Sequence, residues 1–104
     1  MEYHKLVRDR IPDIIQAKGE SYVARVAGQD EFLAKLKEKL KEEADEFAAS
    51  GSPEELADLY EVIDTLMAEM NIDKKEVLEA QEKKREDKGG FAKKIILESS
   101  EKKS

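Results

Sequence analysis

The sequence predicts a mainly α fold: an antiparallel helix hairpin forming part of a four-helix-type bundle with a partner chain, plus short terminal strands. Three observations predict it. Charged residues make up 42% of the 104 positions and hydrophobic residues 39%, with five Gly and two Pro, a balance suited to amphipathic helices rather than a β sandwich. Apolar residues recur at helical spacing through two long runs, residues 30–50 and 53–71. Between them, Gly51-Ser52-Pro53 joins a helix stop directly to a helix start. A chain of this length forms one domain, read here as residues 1–98, followed by a polar tail over 99–104.

The elements follow in order. Pro12 suits a first helical turn and Gly19 a left-handed stop, which predicts a short helix over residues 11–18. Residues 21–27, SYVARVA, alternate and carry β-formers, which predicts a strand. Leu33, Leu36, Leu40, Ala44 and Phe47 then mark one face of a long helix that Gly51 ends. Ser52 supplies an N-cap, Pro53 the first helical position and Glu55 the third, the capping-box pattern. Leu56, Leu59, Ile63, Leu66 and Met70 continue that helix as a seam to about residue 71. Asp73 with Glu76 repeats the pattern and starts a helix that stops at Gly89-Gly90. Residues 91–97 read as a second strand, paired with 21–27. One hairpin is half of a four-helix bundle, and Leu59, Ile63, Leu66 and Met70 exceed what it can cover, so a homodimer or higher homo-oligomer is expected.

Composition narrows the partners. A net charge of -6 supplies no basic field for nucleic acid, so no nucleic-acid partner is expected. The absence of cysteine rules out disulfides and thiolate metal sites and fits a reducing compartment. MEYHKLVRDR lacks the apolar run of a signal peptide, and no stretch is long enough to span a bilayer. A cytoplasmic protein without a membrane partner is the expectation.

One acid stands where a core side chain belongs. Leu36, Leu40, Glu43 and Phe47 draw a single helical seam, and burying an ionised carboxylate there costs several kcal/mol unless a cation, a metal or solvent meets it. The tight turn at Gly51 and Ser52 sets Glu43 and Glu46, in the last turns of one helix, at the height of Glu55 and Asp58, in the first turns of the next. Clustered carboxylates repel unless cations intervene, and oxygen ligands of this kind suit Mg²⁺ or Mn²⁺ rather than zinc. A magnesium site of carboxylates keeps open positions that a phosphate can fill, which points to phosphate chemistry. The competing reading is a solvated helix face making salt bridges with Lys39 and Lys41.

Glu43-Ala44-Asp45-Glu46 and Glu55-Leu56-Ala57-Asp58 resemble the ExxE…ExxD signature of the MazG superfamily of all-α nucleoside triphosphate pyrophosphohydrolases. The opening YHKLVRDRIP and the closing KKREDKGGF resemble the ends of its MazG-like, house-cleaning branch, so the resemblance covers nearly the whole chain. It implies Mg²⁺-dependent hydrolysis of a nucleotide between the α and β phosphates, releasing a monophosphate and pyrophosphate. It also implies Glu43, Glu46, Glu55 and Asp58 as metal ligands, with Glu42 and Glu61 as weaker candidates. The interval between Glu46 and Glu55 is short for the superfamily, and Glu55 is claimed by the capping box as well as by the metal. Within the same superfamily, phosphoribosyl-ATP pyrophosphohydrolase of histidine biosynthesis breaks the same kind of bond and is the rival assignment. An inactive helical dimerisation module is the alternative of another class.

A triphosphate brings more negative charge than one or two metals neutralise. Lys5, Arg8 and Arg10 in the leader, with Lys83, Lys84, Arg85 and Lys88 before Gly89-Gly90, are the candidate phosphate contacts. Arg8 leads them, with Asp9 as a neighbour that could orient its guanidinium, whereas residues 83–88 also read as the solvated end of a helix. The single histidine, His4, reads as a bystander, so water activation falls to Glu42 or Glu46 or to the metal. Phe32, Phe47 and Tyr60 could stack on a base or serve as core.

Overall fold

A left-handed glycine sets the architecture. Gly51, at φ 64° and ψ 18°, caps α2 (Gln29–Ser50) and donates its N–H to the Phe47 carbonyl at 2.8 Å. The chain then re-enters a helix at once as α3 (Pro53–Glu69), whose N-cap Ser52 accepts from the Glu55 N–H. The result is an antiparallel hairpin, and Gln29 Nε2 donating to Glu69 Oε2 at 2.8 Å ties its far ends together. This computed structural model describes residues 4–102. Preceding the hairpin is α1 (Ile11–Ala17), with Pro12 in its first turn and Gly19 at φ 82° just past its end. Following it is α4 (Lys74–Lys88), whose N-cap Asp73 accepts from the Lys75 N–H at 2.9 Å.

The chain divides into two units, Met1–Asn71 and Ile72–Ser104. The first holds α1, the hairpin and a small core: among the described residues Leu36, Val62 and Leu66 are the buried apolar side chains, with Leu6, Phe32, Leu33 and Leu40 packed against them. The second holds α4, every residue of which is exposed. Among the described residues no helix is long and apolar enough to cross a membrane.

One expectation is corrected. Residues 21–27 and 91–97 form no strands, and there is no strand among the described residues. Val23, Val26, Phe91 and Ile96 stand in solvent, so these stretches carry β-forming residues without a buried face to register them. Instead, Arg25 grips Glu31 through both guanidinium Nη atoms at 2.7 Å, tying the 20–28 segment to the first turn of α2. The seam of α3 is also rotated. Val62, which the seam did not include, is buried against α2 together with Leu66, while Ile63 and Met70, expected to need a partner chain to cover them, are exposed in the single chain. Of the expected polar tail, residues 103 and 104 lie outside the described residues.

Candidate functional site

The capping chemistry of the Gly51 turn leaves one carboxylate free. A full capping box would use the Glu55 side chain to accept from the Ser52 N–H. Here Ser50 Oγ takes that N–H at 3.2 Å, and Ser52 Oγ takes the Glu55 N–H at 3.2 Å. Glu55 Oε2 is thereby buried without a hydrogen-bond partner. Across the hairpin Glu43 is only 8% exposed, and its Oε2 is likewise buried and unpartnered. Glu43, Glu55 and half-buried Asp58 each bring a carboxylate oxygen to within 4.8 Å of the others. Two orphaned oxygens among three convergent acids is an arrangement that proteins seldom leave uncompensated, and it fits a cation with oxygen preference.

Charge around the trio is incompletely balanced. Lys39 Nζ lies 3.7 Å from Glu43 Oε1, one helical turn back along α2. Burial pushes the Glu43 carboxyl above its ordinary range, the Glu46 carboxylate adds to this by charge and by hydrogen bonding, and Asp58 adds further; Lys39 opposes them. Glu46 therefore borders the trio without belonging to it and is itself exposed. Glu42 faces the leader, 3.7 Å from Lys5 Nζ. Arg8 Nη2 donates to Asp58 Oδ1 at 2.8 Å, so its partner is a site acid rather than the adjacent Asp9.

The leader, α2 and α3 line an open cleft of about 700 Å³ with Glu43, Asp58 and Arg8 on its wall. Leu6, Ile11, Phe32, Leu36 and Val62 supply an apolar lining beside these charges. A cavity lined by both charged and apolar side chains suits a ligand that carries anionic groups on a less polar body. Phe32 lines this cavity, whereas Tyr60 is 61% exposed and Phe47 is half-buried elsewhere on α2. Glu61 lies on the wall and is exposed. Arg10 is exposed at the start of α1, and Lys84 and Arg85 are exposed on α4 in the second unit. Lys39 was visible in the sequence only as a surface partner; its spacing of four from a buried Glu43 is the signal that places it at the site.

The family model described as phosphoribosyl-ATP pyrophosphohydrolase matches residues 1–85. A protein of Mycolicibacterium smegmatis (strain ATCC 700084 / mc(2)155), described as uncharacterized, is 48% identical over 46 residues. That match covers 44% of this chain and 47% of the relative, so it spans about half the relative's length. No solved structure matches.

Proposed function

The chain belongs to the phosphoribosyl-ATP pyrophosphohydrolase family, and from that premise we propose that it is a metal-dependent pyrophosphohydrolase cleaving a nucleotide between its α and β phosphates. The observation that carries the proposal is the pair of buried, unpartnered oxygens on Glu43 and Glu55, two of the three acids whose carboxylates converge with Asp58. These three residues would hold the cation, Mg²⁺ or Mn²⁺. When bound, it supplies charge to polarise the phosphates and to acidify a coordinated water.

The remaining steps belong to the side chains. Water attacks the α phosphorus, the bond from the α phosphorus to the oxygen that bridges it to the β phosphate breaks, and its electron pair leaves on that oxygen as part of pyrophosphate. Glu46, exposed and interacting with Glu43, would take the proton of that water, with Glu42 the second candidate because Lys5 already engages it. Arg8 and Lys5, on or beside the cavity acids, offset charge on the phosphates, with Arg10 as a further candidate contact. Phe32 and its apolar neighbours offer the base a platform. A noncanonical nucleoside triphosphate is the preferred substrate, in a house-cleaning role; the family description favours phosphoribosyl-ATP as the second reading, with the same bond broken.

Assembly through α3 is part of the proposal. Leu56, Tyr60, Ile63, Met67 and Met70 follow four-three spacing on the face turned away from the buried Val62, the pattern of a helix seam seeking a partner. A single domain over residues 1–98 stays part of the proposal, and the family match covers residues 1–85 of it. Light scattering tests assembly, and a clean monomer at micromolar concentration would overturn it. A pyrophosphate-release screen across canonical and modified triphosphates and phosphoribosyl-ATP, with Mg²⁺ or Mn²⁺, tests the reaction. Release of orthophosphate with a diphosphate would refute the bond assignment, and silence on every substrate would favour an inactive helical module.

A further inference from the structure

The two leader cations make different attachments. Lys5 meets Glu42, which lies outside the convergent trio, whereas Arg8 occupies Oδ1 of Asp58, a member of it. A carboxylate lone pair engaged by a guanidinium is withdrawn from a cation, so Arg8 and a metal compete for the same side chain. The Arg8 backbone is pinned, because its carbonyl accepts the Ile11 N–H at 3.1 Å where α1 begins. Its side chain is 57% exposed, and it lines the cavity that Glu43 and Asp58 also line. With the backbone held and the side chain exposed, the side chain is the part free to move off Asp58.

We propose that Arg8 is a cation-responsive latch: a divalent cation entering the Glu43, Glu55 and Asp58 cluster displaces the guanidinium from Asp58, and the released guanidinium takes the phosphates of the substrate. The inference rests on the reading of this cluster as a metal site for a nucleotide pyrophosphohydrolase. It adds an order, cation before phosphate, and a residue that enforces it. The latch is weak by construction, since an ion pair this exposed contributes little, and a cation can therefore open it. Linkage makes the effect reciprocal: whatever factor Arg8 takes from cation affinity, it returns as cooperativity between cation and phosphate.

The test measures binding rather than turnover, on the full chain, with Mn²⁺ and inorganic pyrophosphate as probes. Mn²⁺ affinity is read from the free-ion resonance signal and by calorimetry for the wild type, Arg8→Ala, Arg8→Lys and Lys5→Ala, with circular dichroism confirming helix content. Removing the competitor should tighten Mn²⁺ binding by roughly two- to five-fold in Arg8→Ala, the factor an exposed pair supplies. Lys5→Ala should change it less, and Arg8→Lys, which keeps charge without the fork, should fall between. Saturating Mn²⁺ should raise pyrophosphate affinity more in the wild type than in Arg8→Ala, by a similar factor. Equal or weaker Mn²⁺ binding in Arg8→Ala would overturn the latch and make Arg8 a support for Asp58. A gain as large in Lys5→Ala would reduce the effect to general charge, and unchanged pyrophosphate coupling would leave the released guanidinium without its task. Each of those results spares the metal-site reading, whereas a wild type that binds no Mn²⁺ removes that reading and the latch together.

Discussion

Glu43→Gln should stabilise the protein in chelator and sharply weaken its response to metal. Oxygens of Glu43, Glu55 and Asp58 lie within 4.8 Å of one another, and at that outer distance each pair of charges repels by about 1 kcal/mol in a water-like dielectric and about 3.5 kcal/mol at an effective dielectric of about 20. Lys39, 3.7 Å away, offsets roughly one such pair and leaves a surplus. An amide at position 43 removes the charge and can donate to the acids around it, so the gain should be about 1–2 kcal/mol. In a domain of this size that raises Tm by roughly 4–8 °C per kcal/mol. Melting curves with EDTA, and with Mg²⁺ or Mn²⁺ titrated to many times Kd, supply both halves of the test. A cation at 100 times its Kd should stabilise the wild type by about 2.7 kcal/mol and the variant by much less. A variant with intact helices that melts at or below the wild type in EDTA would refute the repulsion argument. Equal stabilisation of both proteins by metal would remove Glu43 from the ligand set.

The same group dictates a pH dependence. Burial raises the folded carboxyl of Glu43 above its unfolded value, so the folded state holds the proton more tightly; its contribution is fully present below the unfolded pKa and is lost as pH rises through the folded pKa. In EDTA, the wild type should therefore gain stability relative to Glu43→Gln as pH falls from neutrality into the ordinary carboxylate range, and a flat difference would contradict it. Glu31, held low by Arg25, acts in the opposite direction, losing its contribution as pH falls through its depressed value, and cancels in that comparison. Gly51→Ala should lower stability by about 1 kcal/mol through backbone strain alone, since a Cβ there meets nothing within 4 Å; an unchanged Tm would show that the turn relaxes. Phe32→Leu should raise KM for a nucleotide about five-fold through lost stacking, worth about 1 kcal/mol, while inhibition by pyrophosphate stays unchanged; parallel loss of both would mean collapse of the cavity.

The helices were legible because their ends are chemically marked. Pro12, Gly51, Ser52, Asp73 and Gly89 each stand at a cap or first turn, and the structure begins and ends its elements within a residue or two of them. The strands misled because SYVARVA and FAKKIIL carry the residues of strands, and propensity records what fits a half-buried pleat without recording whether a covering face exists. The convergence of Glu43, Glu55 and Asp58 was legible from the turn length. The Arg8 to Asp58 contact was not, since the two are fifty positions apart and no periodicity links an irregular leader to a helix.

The rotation of α3 shows where periodicity runs out. Leu56, Leu59, Tyr60, Val62, Ile63, Leu66, Met67 and Met70 wrap so much of this helix that more than one seam has helical spacing. Apolar content alone cannot select the one that meets α2. The acids can: Glu55 and Asp58 must turn inward for their oxygens to reach Glu43, and continuing at helical spacing from them leads to Val62 and then Leu66, the two residues that are buried. Placing the carboxylates first therefore fixes the helix, with Ile63 and Met70 left at the exposed flank of the buried stripe. The same rotation makes the site and the proposed oligomer seam two faces of one element, so a substitution on the outer stripe, such as Ile63→Glu, should dissociate an assembly while sparing the Glu43, Glu55 and Asp58 cluster. Mn²⁺ affinity that falls together with assembly would show instead that the site is completed by the partner chain.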